Sequence, residues 1–366
     1  MSIYVDIHVL QTVPPSCVNR DDMGSPKTAV YGGTRRARVS SQAWKHAMRK
    51  DFKKIFSVEE LGVRSREVAK QIAKEIVAID STISEEEGIK KATKALKDVG
   101  IKTEIVNKKD NTEENDKIEQ TKVLLFISNK QAKALAKLIC DGVKDKNAYK
   151  KALKDNPSVD IALFGRMAAS DPTLNYDAAA QVAHAISTHT IQNEYDYFTA
   201  VDDLQDDDNA GAGHLGTVEF NSSTLYRYAN VNVTELLKAL DNLYDAVDVV
   251  KKYVEAFVRS MPTGKENTFV NRTFPDAIYV TVRNDQPVNL CGAFEKPVRA
   301  SEEGYVAESE NKLVEYAGKV YDNFAAKPLA AFCVGDKLAD IAEKMTFPEL
   351  LERLEAYLRE QKTAEA

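Results

Sequence analysis

The sequence predicts an α+β protein in which a sheet domain is interrupted by a large, mostly helical insertion. Three observations lead to this fold class. The 366 residues are 43% apolar and 29% charged, which is typical of globular proteins and excludes disordered, collagen-like and disulfide-scaffold chains. Strand-like segments occur near the start of the chain and again after residue 217, and helical patterns dominate between them. The length allows about two or three domains.

The first element is a strand, because apolar and polar side chains alternate from residue 3 to residue 10. A loop rich in proline and glycine follows over 14–33, and loops of that length in compact domains tend to carry function. Ser40 or Ser41 can then cap a helix that runs to about Phe56.

The middle of the chain is predicted to be mostly helical. Residues 81–122 include 19 charged residues in 42 and are expected to form a solvated insertion, part helical and part flexible. Helices are predicted over 130–154 and over the alanine-rich stretch 176–189. The acidic segment 193–216 ends with three glycines and is expected to protrude as a loop or hairpin.

The second half returns to strands. A strand is predicted over 218–231, and an amphipathic helix over 236–257, where apolar residues recur at steps of three and four. A β-rich strand is predicted over 277–283. Thr346 and Glu349 form the capping box of a closing helix.

Several classes of protein are excluded or disfavoured by what the sequence lacks. No apolar stretch is long enough for a membrane helix, so a cytoplasmic protein without membrane contact is expected. The four cysteines lie far apart, which favours reduced structural thiols. There is no P-loop, His184 and His189 lack metal-binding spacing, and the aspartates of 202–208 lack calcium-loop spacing. We therefore expect no catalytic residue, metal or cofactor.

Charge is distributed unevenly along the chain. The formal net charge is -6, which argues against a protein that coats nucleic acid with its whole surface. Residues 20–54, however, contain ten basic and three acidic residues, a local net of +7. Residues 190–213 contain seven acidic residues and no Lys or Arg, a local net of -7. Such a chain suits a heterologous contact between copies.

The basic segment is typical of an anion-binding surface. A Gly32-Gly33 turn and an arginine cluster lead into a helix start, where free N–H groups and the helix dipole favour an anion. Gln42, Lys45 and Arg49 follow at steps of three and four, so they share one helix face that a phosphate backbone could contact. The alternative is an ordinary solvated basic helix face.

An apolar tip, residues 197–201, lies within the acidic segment. Such a tip can wedge between stacked bases, or it can pack on a partner subunit. The segment 165–168, in which Met167 follows Arg166, is a second candidate wedge or ordinary loop packing.

Motifs spread from residue 1 to about residue 300 carry a resemblance to one protein family. They are Ser16-Cys17-Val18-Asn19-Arg20-Asp21-Asp22, Gly32-Gly33, Arg35-Arg36-Ala37-Arg38-Val39-Ser40-Ser41-Gln42, Asp160-Ile161-Ala162-Leu163-Phe164-Gly165-Arg166-Met167-Ala168, Phe198-Thr199-Ala200-Val201-Asp202-Asp203-Leu204, His214-Leu215-Gly216-Thr217, Tyr226-Arg227-Tyr228-Ala229-Asn230 and Ala293-Phe294-Glu295-Lys296. They resemble the CasC backbone subunits of type I-E CRISPR Cascade, in the RAMP superfamily. Residues 81–122 and the tail after about residue 300 match poorly.

The resemblance implies an RRM-like (ferredoxin-like) palm with an antiparallel sheet. Its parts would be the palm at 1–58 and 217–330, helical fingers at 59–190, a thumb loop at 191–216 and a C-terminal helical segment at 331–366. It also implies a non-catalytic role in antiviral defence, in which several copies stack head to tail along one CRISPR RNA. With other Cascade subunits, these copies would present the guide for pairing with target DNA.

Residue roles are likewise implied by the resemblance. One group would hold RNA: Arg20, Lys27, Ser40, Gln42, Lys45, Arg49, Arg166 and Met167. Arg49 stands where lysine is common, which keeps the charge and adds donors. Met167 would also lie beside a flipped base, together with the base-wedging thumb residues Phe198, Thr199 and Val201.

Two rival functions remain at this stage. Related backbone subunits in other CRISPR types cut RNA with a loop aspartate, so a metal-dependent RNase using Asp21, Asp22 or the thumb aspartates is an alternative. A protein-interaction module that binds no nucleic acid is the other.

Overall fold

A computed structural model describes residues 2–107, 117–168, 171–200, 214–241 and 243–365. It has a mixed α/β architecture with one large, mainly antiparallel sheet, in agreement with the sheet domain predicted from the sequence. The chain divides into two compact units. The sheet unit comprises Met1–Asp51, Gln181–Val233 and Val250–Ala366, and the helical unit comprises Phe52–Ala180 and Thr234–Val249.

Strands and helices are numbered separately in chain order. The strands are β1 Tyr4–Ser16, β2 Thr28–Tyr31, β3 Thr34–Val39, β4 Gly62–Ser65, β5 Thr103–Asn107, β6 Lys117–Thr121, β7 Leu125–Ser128, β8 Ala180–Val182, β9 Ala185–Ser187, β10 Glu194–Ala200, β11 His214–Asn232, β12 Ala277–Arg283, β13 Ala330–Val334 and β14 Glu343–Lys344. The α-helices are α1 Ser41–Ile55, α2 Val68–Ile79, α3 Glu85–Asp98, α4 Asn129–Cys140, α5 Lys146–Lys154, α6 Val159–Phe164, α7 Val233–Leu240, α8 Ala246–Arg259, α9 Glu266–Phe269, α10 Val306–Asn323 and α11 Phe347–Glu365.

The sheet runs in the order β14-β13-β12-β1-β11-β9-β3-β2, and β8 and β10 also pair with β11. β1 is central and pairs antiparallel with both β11 and β12. Its side chains are buried on both faces, and every residue of β12 is buried. Strands buried on both sides need covering layers on both faces of the sheet, so neither face at its centre is open to solvent.

The helical unit has its own core. Apolar side chains of α2, α3, α4 and β7 meet in one cluster, which includes Ile72, Leu96, Ile127 and Leu135. Two small antiparallel pairs, β4 with β7 and β5 with β6, accompany these helices. The charged stretch 81–122 therefore contains α3 and two strands, and residues 108–116 within it lie outside the described residues.

Three helix predictions need correction. The stretch 176–189 is not helical, because Ala180 and Ala185 begin β8 and β9, which pair within the sheet; tertiary pairing overrides the helix propensity of alanine there. The helix predicted over 130–154 is interrupted after Asp141 by Gly142 at positive φ. The helix over 236–257 is interrupted at Asp241, which also has positive φ.

Other predicted elements are confirmed. The strand at Ala277–Arg283 has the expected bounds. The backbone N–H of Thr346 donates to Glu349 Oε2 at 2.9 Å at the start of α11, as expected of the capping box. The breaker-rich loop 14–33 is shorter than expected, because β1 continues to Ser16 and β2 begins at Thr28.

Candidate nucleic-acid interface

Three segments of the sheet unit are joined by hydrogen bonds into what we call the site frame: residues 17–27, β3 and the first turn of α1. The backbone N–H of Ser40 donates to Asn19 Oδ1 at 2.9 Å. The Lys27 N–H donates to the Asn19 carbonyl, and the Arg38 N–H donates to the Lys27 carbonyl. Asn19 thus ties the loop to the start of α1, and the loop to β3 through Lys27.

The first turn of α1 is capped by Ser40, as predicted. The N–H of Ala43 donates to the Ser40 hydroxyl at 3.3 Å, and Ser40 itself is buried. Beyond the cap, Gln42 is exposed while Lys45 and Arg49 are partly buried. Burial lowers the pKa of Lys45, since water is removed from around its ammonium group. Helical spacing places these three side chains along one face, which begins at the capped end.

The helix is held to the sheet by a buried stack of three side chains. Trp44 of α1 and Arg227 of β11 are almost fully buried, and the guanidinium carbon of Arg227 lies 3.7 Å from the Trp44 ring centre. Phe257 of α8 lies on the same guanidinium at 4.6 Å. Gln11 Oε1 accepts a hydrogen bond from Arg227 at 2.6 Å. The positions of Lys45 and Arg49 therefore depend on a buried anchor next to them in sequence.

The three arginines of β3 differ in burial: Arg36 is buried, Arg38 is half-buried and Arg35 is exposed. Arg36 is fully buried and donates to the Ser187 and Phe294 carbonyls, both at 2.9 Å. Arg38 donates to the Thr28 carbonyl through Nε, and Arg35 is exposed. Arg36 therefore does not belong to the predicted anion-binding cluster, because its guanidinium is engaged in holding β3 in place.

His184 was not predicted to lie here. Its Nδ1 accepts a hydrogen bond from the Ser41 N–H at 3.3 Å, so it caps α1 rather than lying on a helix face as expected. Burial lowers the pKa of His184, and the charges of Arg38 and Lys27 lower it further. Arg38 and Lys27 therefore lie close to the capped start of α1, so one phosphate group there could contact both.

The loop beside Arg20 is a tight turn. Asp21 Oδ1 accepts hydrogen bonds from the N–H groups of Met23 and Ser25, at 3.0 and 2.9 Å. Arg20 and Asp22 are exposed beside this turn. Of the candidate nuclease aspartates, Asp21 is therefore engaged in local structure and Asp22 is exposed, while the thumb aspartates within 202–208 lie outside the described residues.

Arg166 and Met167, in the helical unit, have opposite environments. Arg166 is 5% exposed and donates to the carbonyls of Leu174, Phe126 and Leu153. Met167 is 80% exposed. The buried arginine fixes the turn from which the methionine projects, so direct contact of the Arg166 guanidinium with RNA conflicts with the structure.

The β10–β11 hairpin confirms the predicted protrusion, and every residue of β10 is exposed. Register pairs Phe198 with Gly216, where a Cβ atom would lie 2.4 Å from the Phe198 ring. Thr199 is on the opposite face, with Tyr195 and Tyr197, which are about two-thirds exposed. Phe198 and Thr199 thus point to different sides, and Val201 lies outside the described residues.

The aromatic residues of the central strands are not available for base stacking. Tyr226, Tyr228 and Tyr279 are buried in a core that also contains Leu313 of α10. They surround His8, whose Nδ1 lies 2.8 Å from the Tyr226 hydroxyl. Burial lowers the pKa of His8 to about 3, as expected for an imidazole shielded from water.

Other candidate chemistry is limited within the described parts of the chain. No group of three or more His, Cys, Asp or Glu residues there could hold a metal ion. The four cysteines are free thiols, and Cys17 and Cys333 are buried. None of the described helices combines the length and apolar character of a membrane span.

Comparisons with known proteins agree over almost the whole chain. The family described as CT1975-like protein matches residues 5–356. A chain of a solved structure titled "CRISPR RNA-guided surveillance complex, pre-nicking" is 33% identical, with a TM-score of 0.83, and the match covers 97% of this chain and 99% of that one. A second, titled "CRISPR RNA-guided surveillance complex", is 28% identical with a TM-score of 0.62 and the same coverage. No curated protein sequence matches.

Proposed function

We propose, from the premise that this chain belongs to the family of CT1975-like proteins, that it is a guide-RNA-binding subunit of a Cascade-type CRISPR surveillance complex. In this proposal it is the backbone subunit of a type I-E complex. Several copies assemble head to tail along the CRISPR RNA and present it for pairing with target DNA. The chain itself cuts nothing and needs no cofactor.

The observation that carries the proposal is the site frame. Six of the eight residues that the resemblance assigns to RNA are on it or on α1: Arg20, Lys27, Ser40, Gln42, Lys45 and Arg49. The hydrogen bonds through Asn19 fix the spacing of the loop, strand and helix that carry them. A polyanion with regularly spaced phosphates is bound best by donors that are already held in position.

The covered sheet explains why RNA would be bound at loops and a helix end. An RRM commonly stacks bases on aromatic residues of its sheet surface. Here the aromatic residues of the central strands, Tyr226, Tyr228 and Tyr279, are buried in a core that also contains Leu313 of α10. We therefore propose an RRM-like palm that binds the RNA backbone at its edge, while base pairing reads the sequence.

The exposed tips support a second part of the proposal, the spacing of bases. Met167 is 80% exposed, and β10 of the β10–β11 hairpin is exposed along its whole length. Exposed apolar tips can separate stacked bases at a cost of about a few kcal/mol per step. The family resemblance would place Met167 in the fingers and this hairpin in the thumb. Arg166 then positions Met167 without touching RNA.

The test is to purify the chain from cells that also express a CRISPR array, and to determine particle mass and bound RNA. We expect large particles containing intact repeat-spacer RNA, which stay intact when magnesium or manganese is added. A monomer without nucleic acid would contradict the proposal. Cleavage of complementary RNA that is lost in the Asp22→Ala variant would replace the scaffold with the nuclease.

A further inference from the structure

We infer that the RNA path continues beyond Arg20 into a groove whose far wall leads to Lys265, and that Lys265 binds a phosphate group of the single-stranded guide. The inference rests on the proposed function and extends its binding surface. It concerns a loop to which neither the motifs nor the family resemblance assigned a role.

The groove has a volume of about 520 Å³ and is formed entirely within the sheet unit. Thr263 and Gly264 line one side, and the turn containing Arg20 lines the other. Val18 and Asn19 also line an adjoining small cavity that reaches Lys27. The groove is therefore continuous with the site frame.

Gly264 fixes the distance between the two walls. A Cβ atom at this position would lie 2.1 Å from the Val18 carbonyl oxygen, so only glycine allows the two backbones to approach this closely. The loop is held against the frame one residue before Lys265. The position of Lys265 relative to Arg20 is therefore set by backbone packing.

Lys265 has a backbone conformation that lysine adopts rarely. Its φ is 47° and its ψ is 30°, in the left-handed region that glycine or asparagine occupies with less strain. The neighbouring Gly264 does not occupy that region. The sequence thus keeps a long cationic side chain at the strained position, and retained backbone strain concentrates at functional sites.

Arg20 and Lys265 act on the same buried thiol, that of Cys17, whose carbonyl oxygen would lie 2.6 Å from a Cβ atom at Gly264. Burial raises the pKa of Cys17, whereas the charges of Arg20 and Lys265 lower it. Within the described ranges neither cation forms an ion pair. Two cations that act on one thiol suit a single phosphodiester, which is the anion that a guide RNA presents at every nucleotide.

Acidic groups at the rim set a limit on the affinity. Asp21 and Glu219 raise the pKa of Cys17, so their charges also reach this region. The Asp21 carboxylate is held by two N–H donors of its own turn. Asp22 lines the groove and is exposed. Its charge opposes a phosphate, so Asp22→Asn is expected to strengthen RNA binding.

The test measures how the affinity of the full chain for a labelled single-stranded RNA depends on salt. Lys265→Gly and Lys265→Asn remove the charge and tolerate the left-handed backbone, whereas Lys265→Arg keeps the charge. We expect the slope of log K against log salt to fall by about 0.7 in the Gly and Asn variants, the value for one phosphate contact on a single strand. The Arg variant should keep the wild-type slope, and Asp22→Asn should bind more tightly at every salt concentration.

A wild-type slope in both Lys265→Gly and Lys265→Asn would overturn the inference. Lys45→Ala with Arg49→Ala serves as the reference for the proposed function. If that pair lowers the slope while the Lys265 variants do not, the inference alone fails. If the wild-type chain binds no RNA, the proposed function fails, and the inference fails with it.

Discussion

The site frame and the β10–β11 hairpin both carry residues assigned to RNA, but they are held in opposite ways. The frame rests on half-buried Asn19, on buried Ser40 and on the buried Trp44–Arg227 stack. In the hairpin, by contrast, all seven residues of β10 are exposed. The first region is therefore held by buried contacts within the chain, whereas the side chains of β10 are exposed.

This difference fits the two tasks in the proposal. Phosphates recur at a fixed spacing, so the groups that hold them gain from being fixed beforehand. A side chain that separates stacked bases must extend away from the protein surface. An exposed two-stranded ribbon that carries such a side chain is only marginally stable by itself. The hairpin would therefore be stabilised chiefly by the assembled complex.

The largest expected contrast comes from truncating one aromatic residue in each region. Trp44→Ala removes a fully buried ring beneath the Arg227 guanidinium and should lower the free energy of unfolding by about 4 kcal/mol. Tyr197→Ala removes a ring that is 64% exposed and should cost less than about 1 kcal/mol. Urea unfolding followed by circular dichroism measures both values.

Gln42→Ala is the matched control on α1, because Gln42 is exposed two residues before Trp44. It should change stability by less than about 0.5 kcal/mol. Equal costs for Trp44→Ala and Tyr197→Ala would show that the two regions do not differ in the way described.

The sequence predicted the frame better than the hairpin faces. Helix α1 and its Ser40 cap follow from local signals, namely a cap residue followed by helical periodicity. The family resemblance assigns Phe198 and Thr199 to one group of wedges. Strand alternation separates them, and only the register with Gly216 shows that the Phe198 ring packs across the ribbon.

The features that the sequence did not predict depend on contacts between residues far apart in the chain. His184 reaches the start of α1 because the stretch expected to be a helix forms β8 and β9. Arg36 and Arg166 have the same side chain as exposed arginines of the chain, yet both are buried among backbone carbonyls. Charge counts cannot distinguish a buried guanidinium from an exposed one, so the basic patch predicted over 20–54 was too large by Arg36.

The next contrast is functional. Lys45→Ala with Arg49→Ala should lower the salt slope of RNA binding by about 1.4, because two phosphate contacts on a single strand are lost. Tyr195→Ala with Tyr197→Ala should leave the slope unchanged, since these exposed hairpin side chains carry no charge. Fluorescence anisotropy at several salt concentrations measures the slopes. An unchanged slope in the α1 variant would remove Lys45 and Arg49 from the proposed RNA surface.

A smaller effect is expected inside the hairpin. Gly216→Ala places a Cβ atom where the Phe198 ring lies, 2.4 Å from its nearest atom, and should displace the ring. Global stability should change by less than about 1 kcal/mol, because β10 is exposed throughout. RNA affinity should persist while pairing of the bound guide with target DNA changes, which a strand-capture assay detects. A matched Gly318→Ala change, on α10 with open space around it, should leave RNA affinity and target pairing unchanged, although alanine should stabilise the helix by about 0.5–1 kcal/mol.

The smallest effect is a pH dependence confined to the site frame. His184 has a pKa held below 6.5 by burial and by the charges of Arg38 and Lys27, so the folded chain resists protonating it. The unfolded chain takes up that proton as the pH falls through about 6.5. The stability that the neutral imidazole contributes is therefore present above this pH and is lost as the pH falls below it, until the folded imidazole is protonated as well.

His184→Gln should remove this part of the pH dependence, whereas Tyr197→Phe, in the hairpin, should retain it. Denaturant unfolding between about pH 7.5 and pH 5 compares the three chains, and identical profiles for the wild type and His184→Gln would show that this cap contributes no pH sensitivity to the frame.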